Sequence, residues 1–206
     1  MRKLTCHCEQ SFMVDLPEVV TINSQNNILT QITEGSFLSC ICPSCNAELN
    51  MELRTLIKWP EKNTDILLIP EIERIDFLSG KTEVPQDCQL VIGYPELADR
   101  VTVLSANLDP LVVETIKYYL AVKALEKNNE SKFLIVFDSV IETSDLKFHI
   151  HGIKENEVAV MKVPHAIYQS IQNDIKEKKD QELYDAIIHS QYISYQNILI
   201  EDSLND

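Results

Sequence analysis

Glycine is scarce in this chain, and long apolar runs are missing. Only 4 of its 206 residues are glycine, too few for flexible Gly-rich linkers or a collagen-like repeat. Polar residues interrupt every apolar run well before membrane-spanning length, so we expect no contact with membranes. The first residues, MRKLTCHCEQ, lack the apolar core of a secretory signal peptide. These absences favour a cytoplasmic protein.

Positive charge is also in short supply. The chain has 18 lysines and arginines against 32 aspartates and glutamates, which gives a formal net charge of −14. Cations are sparse before residue 70, where they are Arg2, Lys3, Arg54, Lys58 and Lys62. An anionic surface repels nucleic-acid phosphates, so the charge argues against binding of nucleic acid. We expect a protein partner instead.

Common catalytic motifs are absent as well. The sequence contains no P-loop, no G-x-G-x-x-G, no G-x-S-x-G and no H-E-x-x-H. His149 and His151 share one face of a predicted strand with Lys147, and we interpret that face as solvated rather than as half of a metal site. The sequence therefore favours a non-enzymatic function.

Cysteine is the residue that does form a pattern. Cys6 and Cys8 form a C-x-C pair, and Cys42 and Cys45 form a C-x-x-C pair. The turn of a C-x-x-C pair directs backbone N–H groups at sulfur, and thiols two residues apart on a strand share a face. Two such pairs complete a tetrahedral site of four sulfurs, which is typical of structural zinc. We predict a Zn²⁺ cofactor bound by these four cysteines.

Other interpretations of the cysteines stay open. Cys40 also forms a C-x-C pair with Cys42, and His7 lies between two predicted ligands, so either residue could replace one of the four. The segment CPSC is also similar to the active site of thiol-disulfide oxidoreductases, which would use Cys42 and Cys45. That chemistry needs its first cysteine at a helix N-terminus, whereas the residues after Cys45 alternate like a strand. Cys88 reads as a buried core thiol.

These segments together resemble the CpXC domain family, a bacterial group named for paired Cys-Pro-x-Cys motifs. The matching pieces lie within residues 3–71 and are LTCHCEQSF, TINSQNNILTQITEGSF, CPSCNAEL and LIKWPEKNTDILLIPE. A weaker similarity continues through YPELADRVTVLSANLDPLVVETIKYYL. In this chain the first motif is shortened to Cys-His-Cys, and Glu9 and Asn46 stand where glycine is usual. The resemblance implies zinc binding and no characterised activity.

Hydrophobic periodicity predicts an α+β protein. We expect a zinc-ribbon-like β module over residues 1–70, followed by a mixed sheet-and-helix domain over residues 71–206. The module should contain one short helix between its cysteine pairs, with Ser24 as the N-cap and Gly35 in the left-handed conformation.

The second domain carries clearer helix and strand signals. LDPLVVETIKYYLAVKALEKN predicts a helix capped by Asp109, with Pro110 in first position and neighbours on two sides. KFLIVFD predicts a central strand, CQLVIGY and DRVTVL two further strands, and DLKFHIHGIKENEVAVMKV a hairpin with its turn near KENE. Two helices should follow, one opened by Pro164 and one capped by Asp180. YISYQNILI predicts a last strand, and EDSLND a frayed end.

Overall fold

The computed structural model describes residues 1–126, 133–142, 144–154 and 157–198. The described chain is an α+β protein, in which β-hairpins and a mixed sheet alternate with helices. It forms two compact units, Met1–Val101 and Thr102–Asp206. The division after residue 70, inferred from the end of the cysteine pattern, stays a prediction. Within the described residues, no helix combines the length and the apolar character needed to cross a bilayer.

The first unit contains two small hairpins and a run of paired strands. Its elements in chain order are β1 (Arg2–Thr5), β2 (Ser11–Val14), β3 (Val19–Thr21), α1 (Ile28–Glu34), β4 (Ser39–Ile41), β5 (Glu48–Asn50), β6 (Thr55–Trp59), β7 (Thr64–Ile69), α2 (Arg74–Leu78), β8 (Gln89–Ile92) and the start of α3 (Gly93–Ser105). Strands β8, β7, β6 and β3 lie side by side in that order, with β6 and β7 antiparallel and the outer pairings parallel. Ile57, Ile66, Leu68 and Leu90 are fully buried in this sheet, so it forms the core of the unit.

Helix α1 lies between the two hairpins and begins later than predicted. Its N-cap is Asn27, so the predicted cap at Ser24 is wrong. The side chain of Asn23 accepts a hydrogen bond from the N–H of Gln25 at 2.9 Å, and such local bonds favour turns over helix. The predicted left-handed Gly35 is confirmed, with φ at 83°.

The predicted strand DRVTVL is wrong, because these residues lie in helix α3. The helix begins at Gly93, and the carboxylate of Glu96 in its first turn accepts a hydrogen bond from the N–H of Ile92 at 2.9 Å. Leu97 and Val101, four residues apart, are both fully buried on one helical stripe. Tertiary burial of that stripe overrides the local strand preference of the β-branched residues.

The second unit combines a three-stranded sheet with helices. Its elements are α4 (Pro110–Leu125), β9 (Leu134–Val140), β10 (Leu146–Lys154), β11 (Glu157–Val163), α5 (His165–Lys176), α6 (Gln181–Ile187), β12 (Ile188–His189) and β13 (Tyr192–Ile193). The predicted hairpin is confirmed, with Lys154 opposite Glu157 across β10 and β11. Residues 155 and 156 of its turn lie outside the described residues, as does the predicted frayed end EDSLND.

The predicted central position of KFLIVFD is wrong. Among the described residues the sheet order is β11-β10-β9, which places β10 in the centre. On the outer edge of β9, a side chain takes the place of a neighbouring strand. The backbone N–H of Ile135 donates a hydrogen bond to the hydroxyl of Tyr195 at 3.1 Å. An apolar strand therefore lies at the edge because another part of the chain covers it.

Helix α4 is buried around most of its circumference, as predicted. Asp109 caps it by accepting a hydrogen bond from the N–H of Leu111 at 2.9 Å. The buried stretch includes an ion pair, in which Nζ of Lys117 lies 2.7 Å from Oε1 of Glu114. The second carboxylate oxygen of Glu114 accepts a hydrogen bond from the N–H of Tyr195 at 3.0 Å. A charged pair thus ties the C-terminal segment to α4 inside the apolar core.

Candidate metal centre

The first cysteine pair lies in the loop of the β1–β2 hairpin. The strands are antiparallel, and their last paired residues are Thr5 and Ser11. The N–H of Cys6 donates to the carbonyl of Gln10 at 2.9 Å, and the N–H of Glu9 donates to the carbonyl of Cys6 at 2.8 Å. These two bonds close the loop and hold Cys6 and Cys8 in a tight turn.

The second pair lies in the loop of the β4–β5 hairpin. Strands β4 and β5 are antiparallel, with Ile41 opposite Glu48. The N–H of Cys42 donates to the carbonyl of Ala47 at 2.9 Å, and the N–H of Asn46 donates to the carbonyl of Cys42 at 3.0 Å. Both cysteine pairs therefore occupy closed hairpin turns.

The two turns share one backbone feature. Glu9 has φ at 67° and Asn46 has φ at 57°, so each loop contains a residue in the left-handed region. Asparagine visits this region more readily than other residues with side chains, whereas glutamate does so at a cost. The turns thus keep a conformation suited to glycine although neither residue is glycine.

The four sulfur atoms converge between the hairpins. Sγ of Cys6 lies 3.6 Å from Sγ of Cys45, and Sγ of Cys8 lies 3.7 Å from Sγ of Cys42. All four atoms lie within 4.8 Å of one another. These separations are too long for a disulfide bond of about 2.05 Å. The separations of 3.6 and 3.7 Å match the edges of a tetrahedron of roughly 3.8 Å that metal–sulfur bonds of about 2.3 Å would produce.

Each close sulfur pair joins the two hairpins and contains one buried and one exposed residue. Cys6 and Cys42 are buried, while Cys8 and Cys45 are exposed. Because the close contacts between Cys6 and Cys45 and between Cys8 and Cys42 cross from one loop to the other, an ion at the centre of the four sulfurs would link the hairpins to each other. The donor set therefore fits one metal ion.

The surroundings of the thiols shift the pKa values of Cys42 and Cys6 in opposite directions. The N–H of Cys45, helped by that of Ser44, outweighs burial and lowers the pKa of Cys42 to about 6. The N–H of Cys8 lowers the pKa of Cys6, but burial and the neighbouring thiols of Cys45 and Cys42 outweigh it and raise that pKa to about 12. Thiols this close resist sharing several negative charges, so only a cation would stabilise four thiolates here.

Of the two rival ligands from the sequence, Cys40 lies outside this group, whereas His7 contacts one of its members. Cys40 is in β4, half-buried and opposite Leu49, and it is not one of the four converging residues. His7 is exposed, and its Nδ1 lies 3.6 Å from Sγ of Cys6. Cys88 is buried, as predicted, and its thiol donates to the carbonyl of Pro85 at 3.2 Å.

Asp138 lies beside the histidine pair on β10, a contact that the sequence did not predict. Oδ1 of Asp138 lies 3.7 Å from Nδ1 of His149, and Oδ2 lies 3.0 Å from Nζ of Lys147. Asp138 lies where the register between β9 and β10 shifts, which turns its carboxylate toward both side chains. Hydrogen bonds from Ser139 and then Lys147 lower the pKa of Asp138. His151 is exposed and Lys147 and His149 are partly exposed, so the face is partly solvated and carries an ion pair.

The fold and the site define an α+β protein with a four-cysteine cluster between two N-terminal hairpins. The family described as CpXC protein matches residues 4–117, so this chain belongs to the CpXC family. It is also similar to an uncharacterised protein of Treponema pallidum (strain Nichols), with 31% identity over 219 residues that cover 98% of this chain and 100% of that protein. No solved structure matches the chain significantly.

Proposed function

We propose that Cys6, Cys8, Cys42 and Cys45 bind one zinc ion. The support is the convergence of four sulfurs at separations that suit a tetrahedral ion of thiolate ligands. Tetrahedral sites of four sulfurs take zinc or iron, and soft thiolates disfavour magnesium and calcium. Zinc is our choice, because a mononuclear cysteine site in two hairpin turns is the arrangement of zinc ribbons.

The role of the ion is structural. Four protein ligands complete its coordination and leave no position for a water molecule or substrate. The ion contributes binding free energy to folding by joining two hairpins that have few strand pairs of their own. Residues 2–14 and 39–50 then act as a zinc-ribbon-like module. A reducing, cytoplasmic compartment suits this role, since it keeps the thiols available as ligands.

Metal content tests the site directly. We expect about one zinc ion per chain in the wild-type protein purified without metal chelators, and far less in Cys42→Ser, because three ligands hold the ion much more weakly. Cys40→Ser is the matched control, since it removes a thiol two residues away and should keep the zinc. Inductively coupled plasma mass spectrometry gives the count. Iron in place of zinc, or equal loss in both variants, would contradict the assignment.

A second candidate function is thiol-disulfide exchange by Cys42 and Cys45. The observation in its favour is the pKa of Cys42 near 6, since a thiolate at neutral pH is a nucleophile. Against it, Cys42 lies in a hairpin turn rather than at a helix N-terminus. Insulin reduction by the wild-type protein that is lost in Cys42→Ser would support thiol-disulfide exchange. Metal-loaded protein whose four clustered thiols resist alkylation would exclude it.

At the level of the whole protein, we infer a non-enzymatic module that binds a protein partner. A metal site closed by protein ligands, a net charge of −14 and the lack of catalytic motifs support this inference. The first unit also exposes two large apolar side chains three residues apart, Ile72 at 89% and Ile75 at 78%. Exposed apolar side chains in one small region are typical of interaction sites.

The double variant Ile72→Ser/Ile75→Ser tests this inference. We expect it to fold normally and to lose at least half of the partner protein that wild type retains in a quantitative co-purification, because the apolar contact is gone. Val140→Ser, an exposed apolar residue in the other unit, is the control and should retain the partner. Equal retention by all three proteins would contradict a role for Ile72 and Ile75.

A further inference from the structure

A second candidate site lies in the second unit, far along the chain from the cysteines. Helices α4 and α5 and the end of β11 enclose a groove of about 420 Å³. Pockets that bind small molecules commonly have volumes of roughly 300–1,000 Å³. The groove is lined mainly by Ile116, Tyr119, Leu120, Val163, Ile167 and Ile171. Its size and its apolar lining fit a small apolar ligand.

The groove leaves apolar surface in contact with solvent. Its floor is formed by buried side chains, among them Ile116 and Leu120. Its walls include Ile167, which is 46% exposed, and Tyr119, which is 44% exposed. A ligand in the groove would cover these two side chains, and burial of apolar area stabilises a complex by roughly 25 cal/mol per Å².

The polar groups of the lining favour a ligand with an anionic end. Lys123 is the one ionisable cation of the lining, it is exposed, and it forms no ion pair with a described residue. Ser170 is another polar residue of the same lining. Burial and then the nearby Asp180 raise the pKa of Tyr119, so its phenol stays protonated and can donate a hydrogen bond. Because Asp180 and Asp174 lie near the phenol of Tyr119, a carboxylate is favoured at Lys123 rather than beside those aspartates.

We propose that this groove binds a free fatty acid, with the acyl chain along α4 and α5 and the carboxylate at Lys123. A cation that forms no ion pair with a described residue, at the margin of an apolar groove, complements a ligand that is apolar along its length and negative at one end. A water molecule occupies about 30 Å³, so the groove holds on the order of 14 groups of that size. Dodecanoate, with its chain of 12 carbons, is therefore the probe. The proposal does not depend on the metal centre.

Isothermal titration of the full-length protein with monomeric dodecanoate tests the site. We expect saturable binding of about one molecule per chain, and at least tenfold weaker binding of octanoate, because each buried methylene contributes roughly 0.8 kcal/mol. Ala166→Phe should abolish binding by filling the groove from an exposed position. Ile167→Ser, which only removes one apolar wall, should weaken binding several-fold and guards against misfolding of the first variant. Binding that is absent in wild type, or unchanged in both folded variants, would overturn the proposal.

The charge of Lys123 is tested separately. Lys123→Met keeps most of the apolar stem and should weaken dodecanoate binding about two- to fivefold, as expected for an exposed ion pair. Lys176→Met, at an exposed lysine of α5 outside the groove, is the matched control and should bind like wild type. Dodecyltrimethylammonium should bind more weakly than dodecanoate. Equal or tighter binding of the cationic probe, or binding only to lipid vesicles, would contradict a carboxylate site.

Discussion

Removal of the proposed zinc ion with a chelator is expected to unfold the two cysteine hairpins while the second unit stays folded. Structural zinc supplies roughly 10–16 kcal/mol in small zinc modules at neutral pH. A two-stranded hairpin by itself is marginally stable at best, and β4 and β5 share only the pairs from Ser39–Asn50 to Ile41–Glu48. Amides of the hairpins should therefore lose protection from hydrogen exchange, whereas those of α4 should keep theirs. Hydrogen exchange read by mass spectrometry measures both.

The pH dependence of metal loss gives an internal check on this result. Cys6, with a pKa near 12, and Cys45, whose pKa is also raised, keep their protons at neutral pH when no cation is bound. Metal binding must release those protons, so affinity falls as pH falls, and chelation from about pH 8 to about pH 6 should need progressively less chelator. Equal loss of protection in both units, or no change in the hairpins, would contradict a local structural role for the ion.

Replacement of Lys117 by methionine is expected to destabilise the protein by about 3–5 kcal/mol. The carboxylate of Glu114 would remain 7% exposed inside the core of the second unit, without the ammonium group now 2.7 Å away. A buried charge that loses its partner costs far more than an exposed one, because water cannot replace the missing group. Urea denaturation followed by circular dichroism measures the loss.

Two comparisons isolate the ion pair. Glu114→Gln/Lys117→Met should cost less than the two single substitutions together, because it leaves neither charge buried without its partner. The neutral amide at position 114 can still accept the hydrogen bond from the N–H of Tyr195. Lys123→Met, on the same helix but exposed, should change the free energy of unfolding by no more than about 0.5 kcal/mol. Additive losses in the double variant would show that the two charges do not stabilise each other.

The composition of the candidate metal centre could be predicted from spacing alone. Two close cysteine pairs that lie more than thirty residues apart have few uses in a protein whose thiols are reduced. Each pair supplies two of the four ligands of a tetrahedral site, so each pair completes the other. The choice between Cys40 and Cys42 was also open to local reasoning, because the C-x-x-C turn needs Cys42. The order of the sulfur pairs was not predictable, since Cys6 meets Cys45 only through the relative placement of two hairpins.

Two predictions about the fold were wrong for the same reason. DRVTVL has the local preference of a strand, yet Leu97 and Val101 bury one helical stripe when α3 packs. KFLIVFD has the composition of a central strand, yet Tyr195 covers one edge of β9 from sixty residues away. In both cases a contact that is remote in sequence outweighs a local preference of a fraction of a kcal/mol per residue.

The sequence by itself determined the α+β class, the four cysteines that converge in the candidate metal centre, the capped helix α4 and the hairpin of β10 and β11. Those features depend on spacing, capping and periodicity, which act over a few residues. The tertiary structure alone decided that Asp138 faces His149, that Glu114 and Lys117 share a buried pocket with Tyr195, and that α4 and α5 leave an apolar groove beside Lys123. Such features depend on which distant surfaces pack together, and no local sequence pattern predicts the free energy of that packing.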